Sequence, residues 1–197
     1  MAPYPTQALS GPAYRERLRE SFAPWYRQHR LDAQGARIRE PLWTYFEAAQ
    51  IHNALRLGMK EEAWVNLNGM LRDGCEPWGI AAWIEGSADG NESLPYANGA
   101  SARGWLQVGR ATGGNMPHGW TCGEMVALLR SVFVEEREGE LVLGPGVPAA
   151  WLAPGSRFGA RDLPTEHGVV SYELTVDAGG RRELRYSGRT PYRCGWE

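Results

Sequence analysis

The sequence predicts an α+β protein of two modules, with helical hairpins in residues 1–138 and β-strands in residues 139–197. In the first part, apolar residues recur at three- and four-residue intervals, which is typical of helices that bury one face. After Glu138, short segments with partial apolar alternation follow one another between turns that contain Gly or Pro, which is typical of strands. Helices followed by strands favour two separate modules over one interleaved sheet.

Five segments predict helices in the first module, namely residues 13–28, 41–57, 60–71, 96–109 and 120–134. Pro24 is expected to cut or kink the first helix, because proline lacks the amide proton that the helix requires. Gly58 follows the second helix and is a good helix terminator. The connection from the second helix to the third is very short, so these two helices are expected to form an antiparallel hairpin.

The second module predicts several short strands. Partial alternation is clearest in residues 168–176, where Val170, Tyr172, Leu174 and Val176 fall at every second position. Three further short segments lie between turns that contain Gly or Pro, at residues 140–144, 156–163 and 181–188. We therefore expect an antiparallel β-structure, with residues 181–197 forming an unfinished sheet.

Composition excludes several classes of protein. The formal net charge of -2 provides no clustered positive face, which argues against nucleic-acid binding. No apolar run approaches the roughly 20 residues needed to cross a bilayer, and the first residues do not resemble a signal peptide. We therefore expect a soluble, cytoplasmic protein with no membrane partner. Three widely separated cysteines suggest neither a disulfide framework nor a zinc site, and no motif implies a metal or an organic cofactor.

Several motifs occur in an order that resembles the C-terminal part of the six-hairpin glycosidases, and most closely that of the bacterial α-L-rhamnosidases. After the helical hairpin come PWGIAAWIEG (77–86), NMPHGWTCGEMVALLR (115–130), ELVLGPGVPAAWL (140–152) and LPTEHGVVSYEL (163–174). The resemblance covers roughly residues 40–180. It implies an incomplete (α/α) toroid of helical hairpins, followed by part of an antiparallel β-sandwich.

The resemblance also implies an activity, the hydrolysis of a glycosidic bond in a carbohydrate substrate. Glu85 falls on the family's acidic position and His118 on its corner histidine. Inverting glycosidases place two carboxyl groups about 6.5–9.5 Å apart, so that one of them activates a water molecule. Glu85 is the candidate base, while the partner carboxyl would belong to an earlier helix that this chain does not contain.

The same residues also have simpler explanations. Glu85 could be a surface glutamate at the start of a loop, and His118 could cap or pack against a helix N-terminus. The candidate stacking platforms for a sugar ring are Trp78, Trp83 and Trp120, although each could instead fill a core. Glu124 lies four positions after Trp120 and is interpreted as a helix-surface charge.

Three other functions remain open from the sequence. The chain could be a non-catalytic fragment or subunit, and it would then self-associate through an exposed apolar face. It could be a polysaccharide lyase, but that reaction needs cations to neutralise a uronate, and only Arg103 and Arg110 lie in the aromatic stretch. It could also bind sugar without any chemistry.

Overall fold

The computed structural model describes residues 11–38, 44–73, 118–137 and 139–196. Within these residues it contains four α-helices and two small sheets, so the predicted α+β class is confirmed. The chain divides into two compact units, Met1–Leu128 and Leu129–Glu197, and the division falls within the fourth helix. No helix of the described part is long and apolar enough to cross a membrane.

Helix α1 spans Pro12–Arg30, with Gly11 as its N-cap and Pro12 in its first turn. The sequence predicted a break or a kink at Pro24; the helix continues through this residue, so there is no break. Pro24 is exposed, whereas Ala23 and Tyr26 on either side are buried, so packing of both halves outweighs the one amide hydrogen bond that proline removes. Burial raises the pKa of the Tyr26 hydroxyl above its ordinary value.

Helices α2 (Thr44–Arg56) and α3 (Lys60–Asp73) form the predicted hairpin and pack against each other. Gly58 has a φ of 79°, and its amide donates to the carbonyl of Leu55 at 3.0 Å. The amide of Met59 donates to the carbonyl of Ala54 at 2.9 Å. These two bonds form a Schellman motif, which ends α2 and turns the chain directly into α3.

Charged pairs connect α1 and the segment after it to this hairpin. Arg27 on α1 pairs with Glu62 on α3 at 2.7 Å. Arg37 contacts Glu47 on α2 with both Nε and Nη2, at 2.9 and 2.7 Å, and both side chains are nearly buried. A buried guanidinium–carboxylate pair of this kind sets the position of the connector, since either charge would be costly alone.

Helix α4 (Gly119–Phe133) leads without a loop into strand β1 (Val134–Arg137), although the sequence predicted helix as far as Val134. Strand β2 (Glu140–Leu143) is antiparallel to β1, whereas β6 (Tyr192–Cys194) is parallel to β2. This sheet is therefore mixed, where the sequence predicted antiparallel strands. The parallel pair forms because the chain reaches β6 from the other sheet and not through a hairpin from β2.

The second sheet is an antiparallel meander of β3 (Arg157–Thr165), β4 (Gly168–Val176) and β5 (Arg182–Ser187). A bulge in β3 lies between Ala160 and Leu163. The alternation predicted for β4 is confirmed, because Val170, Tyr172, Leu174 and Val176 are all buried. One core cluster combines side chains from both sheets, namely Val134, Leu141, Leu143, Val170 and Tyr172.

Candidate functional site

The predicted site residues divide between the described and the undescribed parts of the chain. Glu85, Trp78 and Trp83 lie outside the described residues. His118 and Trp120 lie at the start of α4, which agrees with the helix that the sequence predicted from residue 120. The candidate site is therefore built around this helix terminus.

His118 caps the N-terminus of α4. Its carbonyl accepts the amide of Cys122 at 3.0 Å, and its Nδ1 accepts the amide of Thr121 at 3.3 Å. Nδ1 also lies 2.8 Å from the hydroxyl of Thr121. Because an amide donates to Nδ1, a neutral ring carries its proton on Nε2. These bonds satisfy an amide that the first helical turn leaves without a partner, and they fix the plane of the imidazole.

The start of α2 joins this cap. Thr44 Oγ1 lies 2.8 Å from Thr121 Oγ1, and both threonines are almost fully buried. The hydrogen-bonded chain from Thr44 through Thr121 to His118 brings the N-termini of α2 and α4 together. Both termini carry partial positive charge, so their junction favours ligand oxygen atoms over cations.

Trp120 presents an open aromatic face at this junction. Its ring stacks on Tyr45, with centroids 4.2 Å apart and an interplanar angle of 19°. Tyr45 also contacts the imidazole of His118 at 5.5 Å. Even so, Trp120 is 57% exposed, so the stack orients the indole without covering it. An oriented and exposed indole is a surface on which an apolar ring face can pack.

Glu124 lies one turn after Trp120 and is held by it. The indole Nε1 donates to Glu124 Oε1 at 3.0 Å. The second oxygen, Oε2, is buried and has no hydrogen-bond partner in the part of the chain that the structure describes. A buried carboxylate oxygen without a partner is costly, so a hydrogen bond from a water molecule or a hydroxyl group that can reach it would be favourable.

These groups could together hold a polar ring-shaped ligand. Trp120 offers a stacking face, His118 a rigid imidazole and Glu124 an acceptor. They do not form a metal centre, since among the described residues no group of three or more His, Cys, Asp or Glu could hold an ion.

Sequence reasoning missed Thr44, Tyr45 and Thr121 as members of this site. Tyr45 lies in the segment 41–57, which the sequence predicted only as a helix. The three-residue spacing from His118 to Thr121 is a signal for the cap, because a capping side chain reaches the third helical amide. No pattern along the chain predicts the contact between Thr44 and Thr121, which are 77 residues apart.

Comparison with known proteins adds no assignment: we found no match to this chain among protein-family models, curated proteins or solved structures. The functional argument therefore rests on the sequence motifs and on the geometry at α4.

Proposed function

We propose that this chain is the C-terminal part of a glycoside hydrolase of the six-hairpin type, which hydrolyses a glycosidic bond with inversion. The observation that carries the proposal is the exposed indole of Trp120, which stacks on Tyr45, whose ring also contacts His118. Sugar sites use such aromatic faces with a few fixed polar groups around them. The hairpin of α2 and α3 supports a portion of a toroid, and the core shared by two sheets supports part of a sandwich.

In this proposal Glu85 is the general base and His118 contacts the sugar or orients Glu85. Trp78, Trp83 and Trp120 form the aromatic wall of the cleft. The second carboxyl that inversion requires would come from another part of the complete enzyme. Glu124 adds an acceptor for a sugar hydroxyl beside the Trp120 platform.

The first experiment separates binding from hydrolysis, so that it does not depend on the second carboxyl. Binding of L-rhamnose and of a panel of p-nitrophenyl glycosides is followed by NMR, and p-nitrophenol release is measured on the same samples. Trp120→Ala should weaken sugar binding about tenfold, because it removes the stacking surface. Trp25→Ala is the matched control, since Trp25 is a partly exposed tryptophan on α1 whose ring contacts Phe22 and His29.

Equal effects of Trp120→Ala and Trp25→Ala would contradict the proposed platform. If p-nitrophenol is released, Glu85→Gln should reduce the rate by more than about 100-fold, since it removes the base that activates water. Hydrolysis that survives this substitution would contradict the assignment of Glu85.

A second candidate function is sugar binding without hydrolysis. It is favoured by the finding that the described part of the site holds a stacking face and one carboxylate, whereas inversion needs two. This function would be supported if sugar binding depends on Trp120 but is unchanged by Glu85→Gln, and if no probe is hydrolysed. An unsaturated sugar product would instead indicate a lyase.

A further inference from the structure

The outer face of the second sheet contains a depression of about 480 Å³. We call it the arginine groove and define it by the side chains of Arg157, Arg161, Ser171, Glu173, Arg185 and Ser187, with Gly159 as its floor. Side chains alternate between the faces of a strand, and the inner face of β4 is buried in the core. The groove therefore lies on the opposite face, which is open to solvent.

Strand register explains the shape of the groove. Gly159 pairs with Glu173, which in turn pairs with Arg185, while Ser171 pairs with Ser187 in the neighbouring row. A Cβ atom at position 159 would lie 2.1 Å from the carbonyl oxygen of Tyr172, so only glycine fits there. The resulting gap separates Arg157 from Arg161 on β3 and leaves a hollow between two arginine side chains.

The groove is lined by three guanidinium groups and one carboxylate. Arg157 forms a fork with Glu173, through Nη2 at 2.6 Å and Nε at 2.8 Å. Arg185 uses Nε to contact Glu183 at 3.1 Å, and its side chain is 75% exposed. Arg161 is exposed and forms no ion pair within the described residues. Each guanidinium has five N–H donors, so Arg161 and Arg185 keep donors for a ligand.

Hydroxyl groups and acids complete the surface. Ser171, on the middle strand β4, and Ser187, on β5 beside Arg185, contribute hydroxyl groups to the groove. The amide of Asp162 donates to Ser171 Oγ at 2.9 Å, which orients that hydroxyl from the bulge. Asp162, Glu173 and Glu183 interrupt the positive charge, so this face lacks the continuous positive surface that nucleic acid requires.

We propose that the arginine groove binds an acidic oligosaccharide, of which one carboxylate is held by Arg161 and another by Arg185 and whose hydroxyls contact the serines and Glu173. Guanidinium groups bind carboxylates with paired, charge-assisted hydrogen bonds. Strands β3 and β5 are about 10 Å apart, two strand spacings, so one small anion does not contact both walls. The groove volume is within the range of about 300–1,000 Å³ typical of ligand pockets. This site is separate from the one at α4 and stands even if that site hydrolyses nothing.

The test compares trigalacturonic acid with maltotriose, a neutral sugar of the same number of rings, by NMR titration of the full chain. Trigalacturonic acid should bind, and its affinity should fall as salt rises, because the contacts are charged and exposed. Arg161→Gln and Arg185→Gln should each weaken binding about tenfold, the effect of one charge-assisted hydrogen bond. Arg181→Gln is the matched control, as an exposed arginine outside the groove, and should change the affinity less than twofold.

Three results would overturn the proposal. These are equal affinity for maltotriose, equal weakening by Arg181→Gln, and equal affinity for citrate, which would indicate a simple anion surface. Two variants of groove residues are tested, so that the proposal can still be judged if one of them does not fold. Thermal unfolding shows whether each variant is folded. Absence of any binding at millimolar trigalacturonic acid would also overturn it, and would leave the proposal for the α4 site unaffected.

Discussion

His52 lies in the interior of α2 and is 2% exposed. Burial, and to a smaller extent the positive charge of Arg56, lowers its pKa from 6.5 to about 3. The unfolded chain therefore binds a proton at this residue between about pH 6.5 and pH 3, whereas the folded chain does not. The contribution of neutral His52 to the free energy of unfolding is therefore fully present above about pH 6.5. It is lost as the pH falls from 6.5 towards about 3.

We predict that His52→Gln reduces the acid sensitivity of the fold. The wild-type free energy of unfolding should fall by up to about 1.4 kcal/mol per pH unit below pH 6.5 because of His52 alone. Urea unfolding at pH 5 and pH 7.5 measures this slope in both proteins. The comparison of slopes removes any constant effect of the substitution, so equal slopes would contradict a neutral buried His52.

His52 and His118 thus have different physical roles. His52 is enclosed within a helix, whereas His118 is half-buried and caps one. Glu47, which shares α2 with His52, accepts hydrogen bonds from Arg37. Burial and partners, which depend on other elements, distinguish these side chains.

The hairpin of α2 and α3 depends on the turn at Gly58. This residue adopts a φ of 79°, which L side chains with a Cβ disfavour. By contrast, Gly123 lies within α4, where an added Cβ would meet nothing within 4 Å. The two glycines therefore form a matched pair in which the same substitution has opposite consequences.

We predict that Gly58→Ala lowers the free energy of unfolding by about 1 kcal/mol, because alanine is strained in the left-handed region. Gly123→Ala should raise it by about 0.5–1 kcal/mol, since alanine loses less backbone entropy in a helix. Urea midpoints followed by the helical circular dichroism signal measure both. Shifts in the same direction would show that one of these backbone descriptions is wrong.

The bounds of the elements follow local signals where those signals are strong. Gly58 predicted a helix that ends at Leu57, one residue beyond the observed end of α2. The alternation of apolar residues predicted both strand β4 and the face of this strand that is buried. Strand β1 was missed because Val134–Arg137 has no alternation of its own and continues an apolar helix. It becomes a strand by pairing with β2, which is a tertiary interaction.

At the scale of the whole molecule, apolar side chains remain exposed on α4. Val126 is 69% exposed and Trp120 is 57% exposed. An exposed apolar surface on a helix can mark a contact with another chain. The exposure of these side chains agrees with the expectation from the sequence that a fragment of a larger helical protein would self-associate through an exposed apolar face.

We predict that the chain self-associates through α4 and that Val126→Lys weakens this association about tenfold, because it would bury an unpaired charge. Val169→Lys is the matched control, since Val169 is 62% exposed but lies on β4. Sedimentation velocity over a range of protein concentrations measures the effect. A monomer at all concentrations, or equal effects of both variants, would exclude α4 as the contact.

The sequence by itself determined the α+β class, the hairpin of α2 and α3, four of the six described strands and the position of His118 at a helix start. These features depend on local periodicity, turn residues and caps, which are properties of neighbouring residues. Only the tertiary structure decided that Thr44 and Thr121 join two helix N-termini and that Tyr45 supports Trp120. It also decided that Gly159 leaves a groove between arginines. Each of these depends on contacts between residues distant in the chain, and a one-dimensional pattern does not specify which distant residues meet.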